Sequence, residues 1–174
     1  TVEFLVDKDE NFYFCEMNTR LQVEHAVTEM ITGLDIIKEQ FRIASGLGLS
    51  INQEDVKVSG HAIEVRINAL DPMKDFTPSS GKINFLFTPG GVDTRFESAI
   101  YKGLEIPIYY DSMIGKIIVK DQRRLSAIKK LRRAIEETMI DGIETNLGFM
   151  YSILFDLDFI RGNISTNFIR EKET

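Results

Sequence analysis

Cysteine is all but missing: Cys15 stands alone among 174 residues, so no intrachain disulfide forms and a reducing, cytoplasmic setting is expected. Histidine is nearly as scarce, with two copies, and no Cys or His partner has the spacing of a zinc site. No apolar run reaches membrane-spanning length, and no signal-peptide pattern is present. Basic charge is short as well: 21 Lys and Arg face 27 Asp and Glu, for a net charge of -6. That balance argues against non-specific nucleic-acid binding. Arg and Lys do cluster between Arg123 and Arg133, but Glu136 and Glu137 follow at once. The first residue is Thr1 rather than Met, and the chain enters an apolar strand pattern directly, so an amino-terminal part is expected to be missing. What remains is ordinary for a globular chain of one domain or one and a half, at 43% hydrophobic and 28% charged residues.

Val2 to Val6 and Phe12 to Met17 are aromatic and β-branched and read as strands, with Lys8 to Asn11 as a four-residue hairpin loop. A helical stretch follows from Val27 to Ala44, broken at Gly33 and ended at Gly46, with Leu34, Ile37, Phe41 and Ala44 on one face. Ser50 to Gly60 is a polar connection. His61 to Asn68, Ile83 to Phe87, Val92 to Phe96 and Met113 to Val119 read as further strands, and Thr88-Pro89-Gly90-Gly91 as a hairpin joining two of them. Arg123 to Met139 is the clearest helix, with an apolar stripe of Leu125, Ile128, Leu131, Ile135 and Met139. A second helix runs from Thr145 to Phe155. Hairpins followed by helices make the class α+β.

The informative stretch runs from Phe14 to His25. If it is extended, Glu16, Asn18, Arg20, Gln22 and Glu24 line one face, while Cys15, Met17, Thr19, Leu21 and Val23 anchor the other. The bland alternative is a half-exposed strand with one wet face. Counting back from the loop, with Asp7 opposite Phe12, puts Glu3 directly opposite Glu16. Like charges so placed repel, and a divalent cation between them reverses the sign. Arg20 offers a planar fork of donors suited to carboxylate, bicarbonate or phosphate, Gln22 a donor to the same anion, and Glu24 a candidate base. A surface ion pair is the plainer reading of Arg20. His25 falls on the opposite parity and reads as structural.

These residues resemble the signature of the biotin carboxylases, an ATP-grasp family. The pattern Glu16-Met17-Asn18-Thr19-Arg20-Leu21-Gln22-Val23-Glu24-His25 is intact. The likeness continues through Val27 to Gly33, Gly60 to Ala69 with Asp71-Pro72, Pro89-Gly90-Gly91, Tyr110 to Lys116, and Asp141-Gly142-Ile143 with Thr145-Asn146. Ala26 and Ser80 stand where proline is usual, Cys15 replaces a larger aliphatic, and the first hairpin is one residue longer than in many relatives.

The resemblance implies the carboxy-terminal portion of an ATP-grasp domain at 1–55, followed by a biotin carboxylase C-terminal domain of antiparallel sheets and packed helices at 56–174. It implies that Glu3, Glu16 and Asn18 hold Mg²⁺ or Mn²⁺ at the phosphates of ATP, and that Arg20, Gln22 and the backbone of Val23 bind bicarbonate. Glu24 would be the base, and Arg66 would stabilise the enolate-like oxyanion of biotin. Leu5 and Cys15 would lie near the nucleotide or metal pocket, Phe168 by the adenine, and Asp111 facing Arg66. Arg95 and Val92 fall where the family forms homodimers. The implied partners are the missing amino-terminal part, a biotin carboxyl carrier protein and a carboxyltransferase. Acetyl-CoA carboxylase is the favoured enzyme, because its stand-alone subunits often end near such a tail. Pyruvate and propionyl-CoA carboxylases share the same half-reaction. On its own the chain is expected not to turn over ATP. A different class of reading is a non-catalytic module for dimerisation or assembly.

Overall fold

The computed structural model describes residues 1–172, and their contacts divide the chain into two units, 1–58 and 59–174. In the first unit, β1 (Val2–Val6) and β2 (Phe12–Met17) form an antiparallel hairpin. Its loop is one residue shorter than expected. The amide of Asp7 donates to the carbonyl of Asn11 at 3.0 Å, leaving Lys8, Asp9 and Glu10 as a three-residue loop with Glu10 left-handed at φ 63°. The Asp7 carboxylate fastens this turn, accepting the amides of Asp9 (2.9 Å) and Asn11 (3.0 Å), and the Asn11 contacts hold its pKa below the ordinary value.

Pairing near the loop therefore sets Val6 opposite Phe12 and Phe4 opposite Phe14, one step from the expected register. A bulge at Cys15 then restores Glu3 opposite Glu16. Both faces of β2 are exposed, so Cys15 and Met17 do not anchor it as the alternating pattern suggests. After β2 come α1 (His25–Thr32) and α2 (Ile36–Ala44). Gly33, at φ 74°, stops the first helix. Asp35 caps the second, its Oδ1 accepting the amide of Lys38 at 2.7 Å. The bonds of Leu47 to Arg42 and Gly46 to Ile43 close α2 in a Schellman turn. On the expected apolar face Leu34 and Ile37 are partly buried, while Phe41 is 72% exposed.

The second unit is built on β3 (His61–Asn68), β10 (Met113–Asp121) and β8 (Thr94–Ser98), antiparallel with β10 in the centre. Short pairs surround this sheet: β4 (Leu70–Asp71) with β5 (Thr77–Pro78), β6 (Gly81–Lys82) with β9 (Glu105–Ile106), and β7 (Phe85–Phe87) with β11 (Met139–Asp141). The segment at 83–87 is thus broken, and Thr88 to Gly91 is not a hairpin, because the strands it joins belong to different sheets. Ladder partners far along the chain, β11 and β10, take precedence over the local turn signal.

The core lies between one face of the sheet (Val65, Ile67, Ile117, Val119) and Ile128, Leu131 and Ile135 of α3 (Arg124–Glu137). Leu125 and Met139 drop out of the expected stripe: Leu125 is 49% exposed, and Met139 lies in β11. On the other sheet face Lys116 is buried between Glu64 (3.8 Å) and Glu97 (2.9 Å). Burial raises the Glu97 pKa, but Lys116 and then Arg95 outweigh it, so the carboxyl sits below its ordinary range.

Two arginines stitch α3 to the next two helices, α4 (Leu147–Ile153) and α5 (Leu157–Arg161); α6 (Phe168–Lys172) comes last. Arg132 stacks 3.7 Å above the Phe155 ring and donates to the carbonyl of Leu154, while Arg124 sits 4.8 Å above Phe159 and donates to its carbonyl. The other end of the Arg124 guanidinium lies 3.4 Å from Nε2 of His61. Burial, and then the Arg124 charge, lower the His61 pKa from its ordinary 6.5. The folded state disfavours the imidazolium, so the unfolded chain binds the extra proton. This contribution is complete above about pH 6.5 and is lost as the pH falls below it. Melting curves should therefore show a larger drop in Tm between about pH 7.5 and pH 5.5 for the wild type than for His61→Gln.

Candidate active site

The first unit gathers most of the expected polar groups. Glu3 is half-buried on β1, and Glu16 faces it across the hairpin. The amide nitrogen of Asn18 sits between the two carboxylates, donating to Glu3 Oε1 at 2.9 Å and Glu16 Oε1 at 2.8 Å. Gln22 Nε2 donates to the same Glu3 oxygen at 3.0 Å. Two amides thus offset the repulsion that the opposed acids create.

These groups do not lie on one extended strand. β2 ends at Met17, and residues 18–24 form an irregular segment closed by a turn, with the amide of His25 donating to the carbonyl of Gln22 at 3.3 Å. The start of α1 overrides the alternating pattern. The loop still brings Asn18, Arg20, Gln22 and Glu24 to one recess of about 490 Å³. Thr1, Thr28, Ile36 and Gln40 complete much of its wall. Arg20 is exposed and donates to the carbonyl of Leu21 at 3.2 Å. Glu24 stands at the N-cap of α1.

Two carboxylates at one place make a hard oxygen set, which Asn18 would join through its Oδ1 once a cation takes the position between the acids that its NH2 holds here. The set suits Mg²⁺, which takes one or two carboxylates and leaves its other positions to phosphate and water. Among the described residues no three His, Cys, Asp or Glu side chains form a metal-holding group, so these residues fit a shared ion rather than a closed protein cage.

Leu5 is exposed on β1, and Cys15 is exposed at the bulge. In the second unit Arg66 is exposed on β3, directly opposite Lys116 on β10. Asp111 is exposed, its Oδ1 accepting the amide of Met113 at 2.8 Å. Arg95 pairs with Glu97, and Val92 is exposed. Phe168 is buried against Phe159 and lines an apolar recess of about 250 Å³ with Ile63, Leu131 and Met150.

His25, read from the sequence as structural rather than catalytic, lies beside the polar groups of the first unit. Its ring borders the first recess, and its Nδ1 lies 2.8 Å from the carbonyl of Gln22. The parity behind that reading holds only for a strand, and His25 is instead the first residue of α1.

Comparison with known families gives the class first. Residues 1–52 match the family described as carbamoyl-phosphate synthase L chain, ATP binding domain. Residues 64–171 match the biotin carboxylase C-terminal domain, and the chain belongs to that family. It is 52% identical over 172 residues to a biotin carboxylase of Haemophilus influenzae, covering 99% of this chain and 38% of that protein. It is 48% identical to a pyruvate carboxylase subunit of Methanothermobacter thermautotrophicus, covering 98% of this chain and 35% of that one. The fold matches the biotin carboxylase domain dimer of Hydrogenobacter thermophilus 2-oxoglutarate carboxylase, solved with MgADP, ADP and bicarbonate. The TM-score there is 0.95 at 48% identity, over 98% of this chain and 38% of that one. The chain therefore spans little more than a third of the length of these relatives. Among the described residues, no helix is long and apolar enough to cross a membrane.

Proposed function

We propose that this chain supplies the metal- and bicarbonate-binding part of a biotin carboxylase, the ligase that uses ATP to carboxylate biotin on a carrier protein. The observation that carries this reading is the Glu3–Asn18–Glu16 cluster joined through Gln22 to the recess that Arg20 and Glu24 line. The solved relative bound to MgADP and bicarbonate supports it.

In this reading Glu3, Glu16 and Asn18 hold Mg²⁺ or Mn²⁺, which when bound offsets the charge of the ATP phosphates. Arg20 grips bicarbonate through its planar fork, with Gln22 and the backbone of Val23 as further donors. Glu24 takes the bicarbonate proton, and the freed oxygen attacks the γ-phosphorus. The P–O bond to ADP breaks, leaving ADP and carboxyphosphate. Decomposition of carboxyphosphate yields carbon dioxide and phosphate, and the phosphate accepts the proton from the ureido nitrogen of biotin. Arg66 places a permanent positive charge where the ureido oxygen gains negative charge. Leu5 and Phe168 serve the nucleotide.

The domain boundary near residue 55, the homodimer through Val92 and Arg95, the carrier and carboxyltransferase partners and a cytoplasmic location belong to the same proposal. So does acetyl-CoA carboxylase as the parent enzyme, with pyruvate and propionyl-CoA carboxylases as alternatives.

The test is phosphate release from ATP by the full-length polypeptide that carries this segment, with and without bicarbonate and free biotin. Bicarbonate-dependent release that rises with biotin is expected, while the 174-residue chain alone is expected to release none. A full-length protein whose ATPase ignores bicarbonate refutes the reading.

A further inference from the structure

Beyond the groups that would touch bicarbonate, one largely covered side chain stands behind them. The His25 side chain is 10% exposed. Its Nδ1 lies 2.8 Å from the Gln22 carbonyl oxygen, and its own backbone amide donates to that same oxygen at 3.3 Å. A carbonyl only accepts, so Nδ1 carries the proton and the ring closes the turn Gln22-Val23-Glu24-His25 a second time. At the far side of the ring Nε2 is buried, has no hydrogen-bond partner among the described residues, and faces Glu29 Oε2 at 4.0 Å.

Glu29 is buried too, and its other oxygen accepts the amide of Ile36, the first residue of α2, at 2.9 Å. Ile36 and Gln40 of α2 line the recess together with His25. One line of contacts therefore runs from the turn that displays Gln22, Val23 and Glu24, through the imidazole, to the carboxylate that fixes the start of the opposite wall.

We propose that His25 is a positioning residue for the anion recess, its ring clamping the Gln22 carbonyl with one nitrogen and facing the Glu29 carboxylate with the other. It touches no reacting atom. Its work is to hold the donors of Gln22 and Val23 and the Glu24 carboxylate at fixed spacing from Arg20. A somewhat larger ring without the Nδ1 donor keeps an aromatic group at this place but releases the turn, and displacement of binding groups by about 1 Å can cost a hundredfold in rate.

This inference rests on the bicarbonate reading above, and its test separates the two. In the full-length polypeptide, His25→Phe is expected to raise KM for bicarbonate about tenfold or more while leaving KM for ATP within about twofold. In His25→Asn the amide nitrogen stands near the place of Nδ1, and bicarbonate KM is expected to return to within about threefold of wild type. A purely structural histidine would lower Tm and the active fraction in both variants without moving either KM of the folded enzyme.

A wild type with no bicarbonate dependence sinks the functional reading. A bicarbonate-dependent wild type with an unchanged His25→Phe sinks this one. Should His25→Phe fail to fold, ¹⁵N spectra of the wild-type imidazole decide: protonated Nδ1 coupled to the Gln22 carbonyl is expected, and a bare Nδ1 overturns the clamp.

Discussion

Arg20→Ala is expected to lower bicarbonate-dependent ATP cleavage about a hundredfold or more, the size of effect seen when one preorganised donor to a developing anion is removed. The guanidinium is exposed at the recess, where it donates to the carbonyl of Leu21. Removing it should therefore cost little stability, and the Tm should move by no more than the small amount usual for a surface change. Arg20→Lys keeps the charge but gives up the planar fork, so partial activity with a raised bicarbonate KM is expected. Steady-state kinetics at varied bicarbonate, with phosphate release as the signal, separate the three proteins. An Arg20→Ala enzyme of near-normal rate would remove bicarbonate from this recess. If that variant lost its dimer and kept its chemistry, the segment would be an assembly module.

The largest stability effect is expected at Gly142. This residue has φ of 105°, and a Cβ built there would stand 2.0 Å from the carbonyl oxygen of Lys82. The reciprocal approach is nearly as tight: a Cβ on Gly81, at φ 151°, would meet the Gly142 carbonyl oxygen at 2.7 Å. Backbone cannot swing aside as a side-chain end can, so Gly142→Ala must part β6 from the β11 turn or force strained dihedrals. Either route costs on the order of 3–5 kcal/mol, and a fall in Tm of roughly 10 °C or more is expected from calorimetry. Gly148→Ala is the control: it lies in α4 with nothing within 4 Å, and alanine there should hold or raise Tm.

Much of the secondary structure was legible because its causes are local. β1, β2 and β3 fall where aromatic and β-branched runs put them, and Gly33 divides the helical stretch because its left-handed φ ends α1. What could not be read depended on partners distant in sequence. Thr88 to Gly91 carries strong turn chemistry, yet β7 pairs with β11 and β8 with β10, and no local pattern encodes that choice. The apolar face of α2 follows helical period, yet periodicity did not tell which of its residues are covered: Ile37 is partly buried and Phe41 is 72% exposed. At the candidate site, residue types chosen for their chemistry led to a convergent group although the geometry assumed for it was wrong. Asn18, Arg20, Gln22 and Glu24 meet at a loop and a helix start rather than along a strand.

The kink at Cys15 has a consequence for what β2 can present. Phe12 and Phe14 both lie edge-on to Phe4, with ring centres 5.7 and 6.1 Å away, and strict two-residue phase would send Glu16 to join them. The unpaired residue turns the rest of the strand over, delivering the carboxylate to the side where Glu3 and Asn18 wait. Residue count between Phe14 and Glu16, rather than the identity of the residue at 15, thus decides whether this acid faces Glu3 and Asn18 or stands as a stray charge among phenylalanines. Inserting one alanine there would be a far more damaging edit than exchanging the thiol for a methyl group.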